Sequence, residues 1–338
     1  MDIKEIRTEA RKKMKGYCRV CPVCNGVACA GEVPGMGGSL TGQGFKNNIE
    51  ELRKINLKMK TIHSSTSPCT KISLFGNEFD IPIISAPITG SSFNMGGALS
   101  EKEYVQSVMK GSRMSKTFGM TGDTADSSMY IEGLKGISDV DGIGVPIIKP
   151  RDNNEIIDRI KKAEKHSPMA IGIDIDGAGL ITMALKGQPV GPKTKEQLKE
   201  LIDSTDIPFI LKGIMTVEEA KIAVEIGADA IVVSNHGGRV LDHAEGVAKI
   251  LPDIAQEVKG KITILADGGI RSGIDVFKML ALGADAILVG RPIVIAAYGG
   301  YKEGVHLTLE KMKKELIQGM ILTGCKDLDS INYDKIRL

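Results

Sequence analysis

The sequence predicts an α/β protein built as a single (β/α)8 TIM barrel, and two observations carry that reading. The first is an internal repeat. Residues 207–234 (IPFILKGIMTVEEAKIAVEIGADAIVVS) and 261–290 (KITILADGGIRSGIDVFKMLALGADAILVG) follow one plan: an apolar strand, a polar or Gly-containing turn, an amphipathic helix ending in Gly, then Ala-Asp-Ala and another apolar strand. Gly227 and Gly283 stand where a helix C-cap needs the left-handed conformation. The second is the count. Apolar segments fall at 81–86, 113–118, 142–148, 169–175, 207–212, 229–234, 262–266 and 286–290, which is the number that closes a barrel. They are continuous apolar runs, so both faces are expected to be buried, as in a parallel sheet. A doubly wound open sheet is the rival, but it gives no reason for eight strands or for the repeat.

Residues 1–80 stand apart as an N-terminal cap on the barrel of 81–338: a basic helix, a cysteine cluster, a Gly-rich turn (GEVPGMGGSLTGQG) and a helical stretch at 47–57. Across all 338 residues, 42% are apolar and 25% charged, enough for a sizeable core. Forty glycines, against a usual ~7% of residues, fit many tight turns and backbone-lined sites. A net charge of +2 and the absence of tryptophan argue against a nucleic-acid or membrane partner. The charged N-terminus, MDIKEIRTEARKKMKG, does not read as a signal peptide, and no apolar run approaches the ~18 residues of a membrane span. The expectation is a cytoplasmic protein.

In a TIM barrel the C-terminal strand ends converge on one site. Read in order they supply Asp176 after strand 4, Lys212 ending strand 5, and Ser-Asn-His236-Gly-Gly-Arg239 after strand 6. Asp267-Gly268-Gly269-Ile-Arg271 follows strand 7, and Gly290-Arg291 follows strand 8. His236, followed by two glycines, is suited to act as a base near neutral pH. Arg239 offers a planar fork for a carboxylate. Lys212 at the end of an apolar strand needs an anionic partner: an electron-rich cofactor ring, a phosphate, or Asp267 or Asp176. The two glycine-bearing turns with Arg271 and Arg291 form a phosphate cup.

These stretches (ILKGI, VVSNHGGRVLD, LADGGIRSGIDVFKMLALGADAILVGRP and LTGCKDL) resemble the FMN-dependent 2-hydroxy acid oxidase and dehydrogenase family, which includes glycolate oxidase, lactate oxidase and flavocytochrome b2. The likeness is nearly gapless from Lys212 to about Ile331 and runs more loosely back through IPIISAP to about residue 38. It implies that His236 removes a proton from the substrate while two electrons pass to flavin N5. It implies too that Arg239 holds the substrate carboxylate, Lys212 stabilises the reduced flavin, and Asp176 orients the histidine. The segment Ala86, Pro87, Ile88 and Thr89 would lie against the flavin, with Asp267, Gly268, Gly269, Arg271, Gly290 and Arg291 around its ribityl phosphate. A small hydroxy acid substrate and a homo-oligomer, often a tetramer, follow from the same likeness; a protein electron acceptor is a further candidate partner.

The sequence departs from the family around the substrate. Ile148 stands where a tyrosine is expected, Pro146 where a glutamine is expected, and the Gly-rich turn near Pro34 where a second tyrosine is expected. Gly-Ala-Gly-Leu-Ile-Thr-Met after strand 4 replaces a loop that carries a second arginine; Lys149 is a candidate replacement. Two alternatives stay open: an enzyme like type 2 isopentenyl-diphosphate isomerase, and a non-catalytic flavin redox or sensor protein. Cys18, Cys21, Cys24 and Cys29, spaced C-x2-C-x2-C-x4-C, suit a zinc ion or an iron–sulfur cluster, with reactive thiols or plain packing as alternatives. Cys69 and Cys325 are expected to be buried thiols.

Overall fold

Eight parallel strands close into a barrel in the computed structural model, which describes residues 1–338, the side chain of Ile181 excepted. They are β1 (Ile83–Ser85), β2 (Gly119–Gly122), β3 (Gly144–Ile148), β4 (Ile171–Asp174), β5 (Phe209–Ile214), β6 (Ala230–Val233), β7 (Thr263–Ala266) and β8 (Ala286–Val289). Closure is made by β8 against β1, with Ile287 opposite Ile83 and Val289 opposite Ser85. The (β/α)8 barrel is therefore observed as expected.

Alternation along each strand splits the core in two. Ile84, Met120, Val145, Ile147, Ile210, Val232, Leu265 and Leu288 fill the barrel interior. Their neighbours Ile83, Ile173, Leu211, Ile231, Val233, Ile264 and Val289 pack outward against the helices. A hairpin, Ile72–Leu74 with Asn77–Phe79, closes the N-terminal end of the barrel. There Phe79 stacks on Phe118 with ring centroids 4.8 Å apart.

The second strand lies further along than expected. Helix Glu101–Met114, started by a Ser100/Glu103 capping box, consumes the beginning of 113–118, and Lys116 turns the chain at a φ of 52°. The strand itself, Gly-Met-Thr-Gly, lacks a β-branched run. A Cβ on Gly119 would come 2.9 Å from Met109 Sδ, so close helix packing there favours the residue that propensity disfavours. The helix expected at 47–57 spans Gln43–Lys54 instead, because the chain then pairs Asn56–Leu57 with Ile336–Arg337.

The N-terminal segment is tied to the mouth of the barrel. Asn48 on helix Gln43–Lys54 donates to Asn235 Oδ1 at 2.7 Å, just past β6. Asp242 accepts from the backbone of Thr41 and Gln43 at 2.8 Å each. These polar links are long-range in sequence, so periodicity cannot announce them. Among the described residues, no helix is long and apolar enough to cross a membrane.

Candidate active site

The mouth of the barrel holds a cavity of about 1040 Å³, partly open to solvent. Its walls include Ala86, Pro87, Ile88, Thr89, Lys212, His236, Arg239, Asp267, Gly268, Gly269, Arg271, Gly290 and Arg291. Each of these was expected at the site. Asp176 stands behind His236 rather than on the cavity wall.

Strand β6 ends in a strained turn. His236 has a φ of 57°, a left-handed value uncommon for a residue with a Cβ and typical of over-determined functional positions. What holds it is on either side. Ser234 donates to Asp267 Oδ2 at 2.9 Å and accepts from the backbone N–H of His236 at 3.1 Å. Gly238, at a φ of 73°, lets helix Gln43–Lys54 approach; a Cβ there would stand 2.1 Å from the nitrogen of Phe45.

The His236 ring is fixed through Nδ1, 3.0 Å from Asp176 Oδ1 and 3.5 Å from Asp174 Oδ2. A bulge in β5 makes this possible, because Gly213 would set a Cβ 2.6 Å from the Asp176 side chain. Nε2 makes no hydrogen bond among the described residues and so is free for a ligand. Burial, aided by Lys212, Lys149 and Arg239, pushes the imidazole well below its ordinary pKa, while Asp174 pulls the other way. His236 is therefore a neutral base at neutral pH. Burial also raises Asp176 well above the usual carboxylate range.

Asp174, the last residue of β4, escaped the sequence reading. It accepts from Lys212 Nζ at 2.9 Å and from Lys149 Nζ, all three side chains being buried. Burial opposes its charge, but His236, Lys149 and Lys212 outweigh that and hold its carboxyl well below the usual range. Lys212, penalised by burial, is raised by Asp174, Asp176 and Asp267. Of the partners expected for Lys212, the carboxylate that bonds it is neither Asp176 nor Asp267 but Asp174. The signal was available: side chains two apart on a strand share a face, and an Asp ending a buried strand needs cations.

The glycine turns after β7 and β8 face the other end of the cavity. Asp267 Oδ1 and Arg271 Nη2 are buried there without any partner. Such orphans are costly unless a ligand satisfies them. A carboxylate oxygen and a guanidinium N–H suit the hydroxyls and the phosphate of a ribityl chain, so these residues fit FMN. Arg291, expected in the phosphate cup, lines the cavity and is also tied to the N-terminal turn. It stacks 3.7 Å over the Phe45 ring and donates to the carbonyls of Met36 at 2.7 Å and Gly37 at 2.9 Å. Arg239 likewise donates to the carbonyls of Gly35 and Gly37 and to Asn94 Oδ1 at 3.2 Å, while still lining the cavity.

Glu101 is a second residue the sequence reading missed. It accepts from the N–H of Ser91 at 2.7 Å, from the N–H of Gly90 and from the Thr89 hydroxyl, and so fixes the loop after β1. Elsewhere the cavity is walled by Phe93, Leu180 and Met183, with Lys149 also lining it. Ile148, buried in β3, does not line it.

The four clustered cysteines are unpaired and border a separate small cavity. Among the described residues, the trio of potential ligands drawn within 4.8 Å of one another is Asp174, Asp176 and His236, not the cysteines. Cys325 is buried as expected; Cys69 is exposed, contrary to expectation, because it lies in the open loop before the hairpin.

Known proteins agree with this geometry. The chain is 28% identical over 335 residues to the peroxisomal (S)-2-hydroxyacid oxidase GLO3 of Arabidopsis thaliana, covering 89% of this chain and 90% of that one. It is 29% identical over 360 residues to an L-lactate dehydrogenase of Pseudomonas aeruginosa strain LESB58, covering 89% and 92%. A crystal structure of mandelate oxidase superposes with a TM-score of 0.78 at 26% identity, covering 99% of this chain and 98% of the other. Another mandelate oxidase structure, with a monooxide FMN adduct, gives a TM-score of 0.74 at 29% identity, covering 92% and 98%. The FMN-dependent dehydrogenase family matches residues 36–185 and 180–338. With the cavity at the strand ends and its orphaned polar atoms inside the matched region, the chain belongs to the FMN-dependent dehydrogenase family.

Proposed function

We propose that this flavoenzyme oxidises the CH–OH group of a 2-hydroxy acid bearing an apolar side chain, with His236 as the base. The observation that carries the reading is His236 itself: partly buried, held neutral, fixed through Nδ1 by Asp176 and Asp174, and lining the cavity with Nε2 unbonded. FMN, when bound, supplies the two-electron sink that no side chain offers. Lys212, Asp267, Arg271, the glycines 268, 269 and 290, Arg291 and the loop Ala86–Thr89 are the residues that would hold it.

His236 takes a proton from the substrate as the carbon is oxidised. The new imidazolium is stabilised by Asp174, which is ionised, and oriented by Asp176. Arg239 and Lys149 are the cations available to the substrate carboxylate. Arg239 can turn from the Gly35 carbonyl to an anion that presents a better acceptor. Lys149 supplies the second positive charge that the loop after β4 lacks. Phe93, Leu180 and Met183 then contact the substrate side chain, which favours an apolar one.

Mixing the FMN-loaded protein anaerobically with a panel of 2-hydroxy acids tests this. Bleaching of the flavin band by at least one acid with an apolar side chain is expected. No bleaching with any of them removes the proposal and favours an isomerase-like or sensor role. The cysteines are proposed as an additional centre, iron–sulfur or zinc, and the enzyme as a homo-oligomer, tetrameric by resemblance. The electron acceptor is oxygen or a protein.

A further inference from the structure

Cys18, Cys21, Cys24 and Cys29 all line one small cavity. The family match begins at residue 36, so nothing in the shared flavin chemistry accounts for this segment. Two residues, Met36 and Arg291, wall both this cavity and the large one at the barrel mouth. A single layer of side chains therefore separates the thiols from the place where FMN fits.

We propose that the four cysteines hold an iron–sulfur cluster that relays electrons, one at a time, from the flavin to a one-electron acceptor protein. The proposal rests on the oxidation reading above for its source of electrons.

Three observations carry it. The first is ligand number and order: four thiols within one short segment, the first three spaced C-x2-C-x2-C as in bacterial-type cluster loops. The second is separation. A closed zinc site with 2.3 Å Zn–S bonds sets its sulfurs about 3.8 Å apart by tetrahedral geometry. No three of these sulfurs come within 4.8 Å of one another among the described residues, and a cavity lies between them. An iron–sulfur core places its own irons and sulfides between the thiolates, and so needs that wider spacing. The third is charge. Four thiolates around such a core leave it anionic, and cations already surround the loop. Arg7 donates to the carbonyl of Cys21, Arg11 donates to that of Val20 at 2.9 Å, and half-buried Arg291 lines the cavity.

The electron count closes. Oxidising one 2-hydroxy acid to the 2-keto acid releases two electrons and two protons. The cluster, a one-electron carrier, is reduced and reoxidised twice per turnover, so two acceptor molecules are each reduced once. The protons leave through His236 and solvent.

The test begins with protein purified anaerobically with its FMN. Iron and acid-labile sulfide in comparable amounts, with a paramagnetic signal after dithionite, are expected. Zinc alone, no metal, or a disulfide among the four cysteines overturns the proposal. Cys18→Ala and Cys29→Ala should then keep hydroxy-acid bleaching of the flavin while reduction of cytochrome c falls about tenfold or more, because the one-electron carrier is lost. Undiminished cytochrome c reduction in cluster-free variants overturns the relay. If the variants do not fold, the metal and sulfide content of the unaltered protein still decides the site. Iron and sulfide found without any bleaching by hydroxy acids support the cluster, and the oxidation reading fails instead.

Discussion

The two walls of the barrel-mouth cavity are built on different principles. On the β5–β8 side, charges are fixed by other charges and by backbone. Lys212 bonds Asp174 at 2.9 Å, Ser234 bonds Asp267 at 2.9 Å, and the turn carrying His236 is pinned by Asn48 and Gly238. On the side of the β3 and β4 loops the cavity is lined by Leu180 and Met183, with Phe93 from the loop after β1 and with Lys149 as the cation. The first wall tolerates little change, because removing one member of a buried ion cluster leaves an uncompensated charge at a cost of about 3–5 kcal/mol. Swapping one apolar side chain for another of like size costs less than about 1.5 kcal/mol. The two walls meet at Lys149, which bonds the buried Asp174, so they are separable only at the apolar side chains.

That separation can be broken in order of effect. His236→Ala should leave flavin bound but slow its anaerobic reduction by about a thousandfold, within the range for loss of a general base. Stopped-flow absorbance reads both quantities. Bleaching at an unaltered rate would falsify the assignment of the base. Arg271→Ala should instead weaken FMN retention by about 10- to 100-fold through loss of a charge-assisted hydrogen bond. Fluorescence titration of the stripped protein with FMN checks this, and an unchanged affinity would place the phosphate elsewhere.

Smaller effects should fall on the other wall. Lys149→Met is expected to raise KM for the hydroxy acid about tenfold with less change in kcat, the sign of lost carboxylate binding. An equal loss in both would mean that Lys149 serves the reaction through Asp174. Met183→Ala should shift preference toward bulkier acids by about tenfold, the value of a methylene or two in an apolar pocket. Measuring kcat/KM for a short and a long acid in parallel shows it, and an unchanged ratio removes Met183 from the specificity wall.

Much of the β5–β8 wall was legible in the sequence because its signals are local. The repeat at 207–234 and 261–290 places the strand ends, and SNHGGR and DGGIR set His236, Arg239 and Arg271 at fixed offsets from them. What was not legible depends on contacts across the chain. Asp174 matters because β3 brings Lys149 and β5 brings Lys212 to it, a fact of sheet register rather than of spacing. Glu101 clamps the Thr89 loop through hydrogen bonds that no helical periodicity reports. Strand β2 was misplaced because Gly119 answers to Met109 packed on it, not to strand propensity. That Arg291 also meets the Gly-rich turn at 36–37, which folds back onto it, is equally a matter of long-range contact.

The pH dependence of anaerobic flavin reduction, followed in parallel for the unaltered protein and His236→Gln, tests the central claim most directly. Neutral imidazole is the active form, and burial lowers its pKa from 6.5. The rate of the unaltered protein should therefore be constant through neutral pH and fall only as the medium becomes acid enough to protonate His236, below 6.5. The variant should be slow throughout and lack that acid limb. A variant that keeps the limb, or an unaltered protein already losing rate as pH falls from 8 toward neutrality, above the range of a free imidazole at about 6.5, would contradict a neutral, partly buried His236 as the proton acceptor.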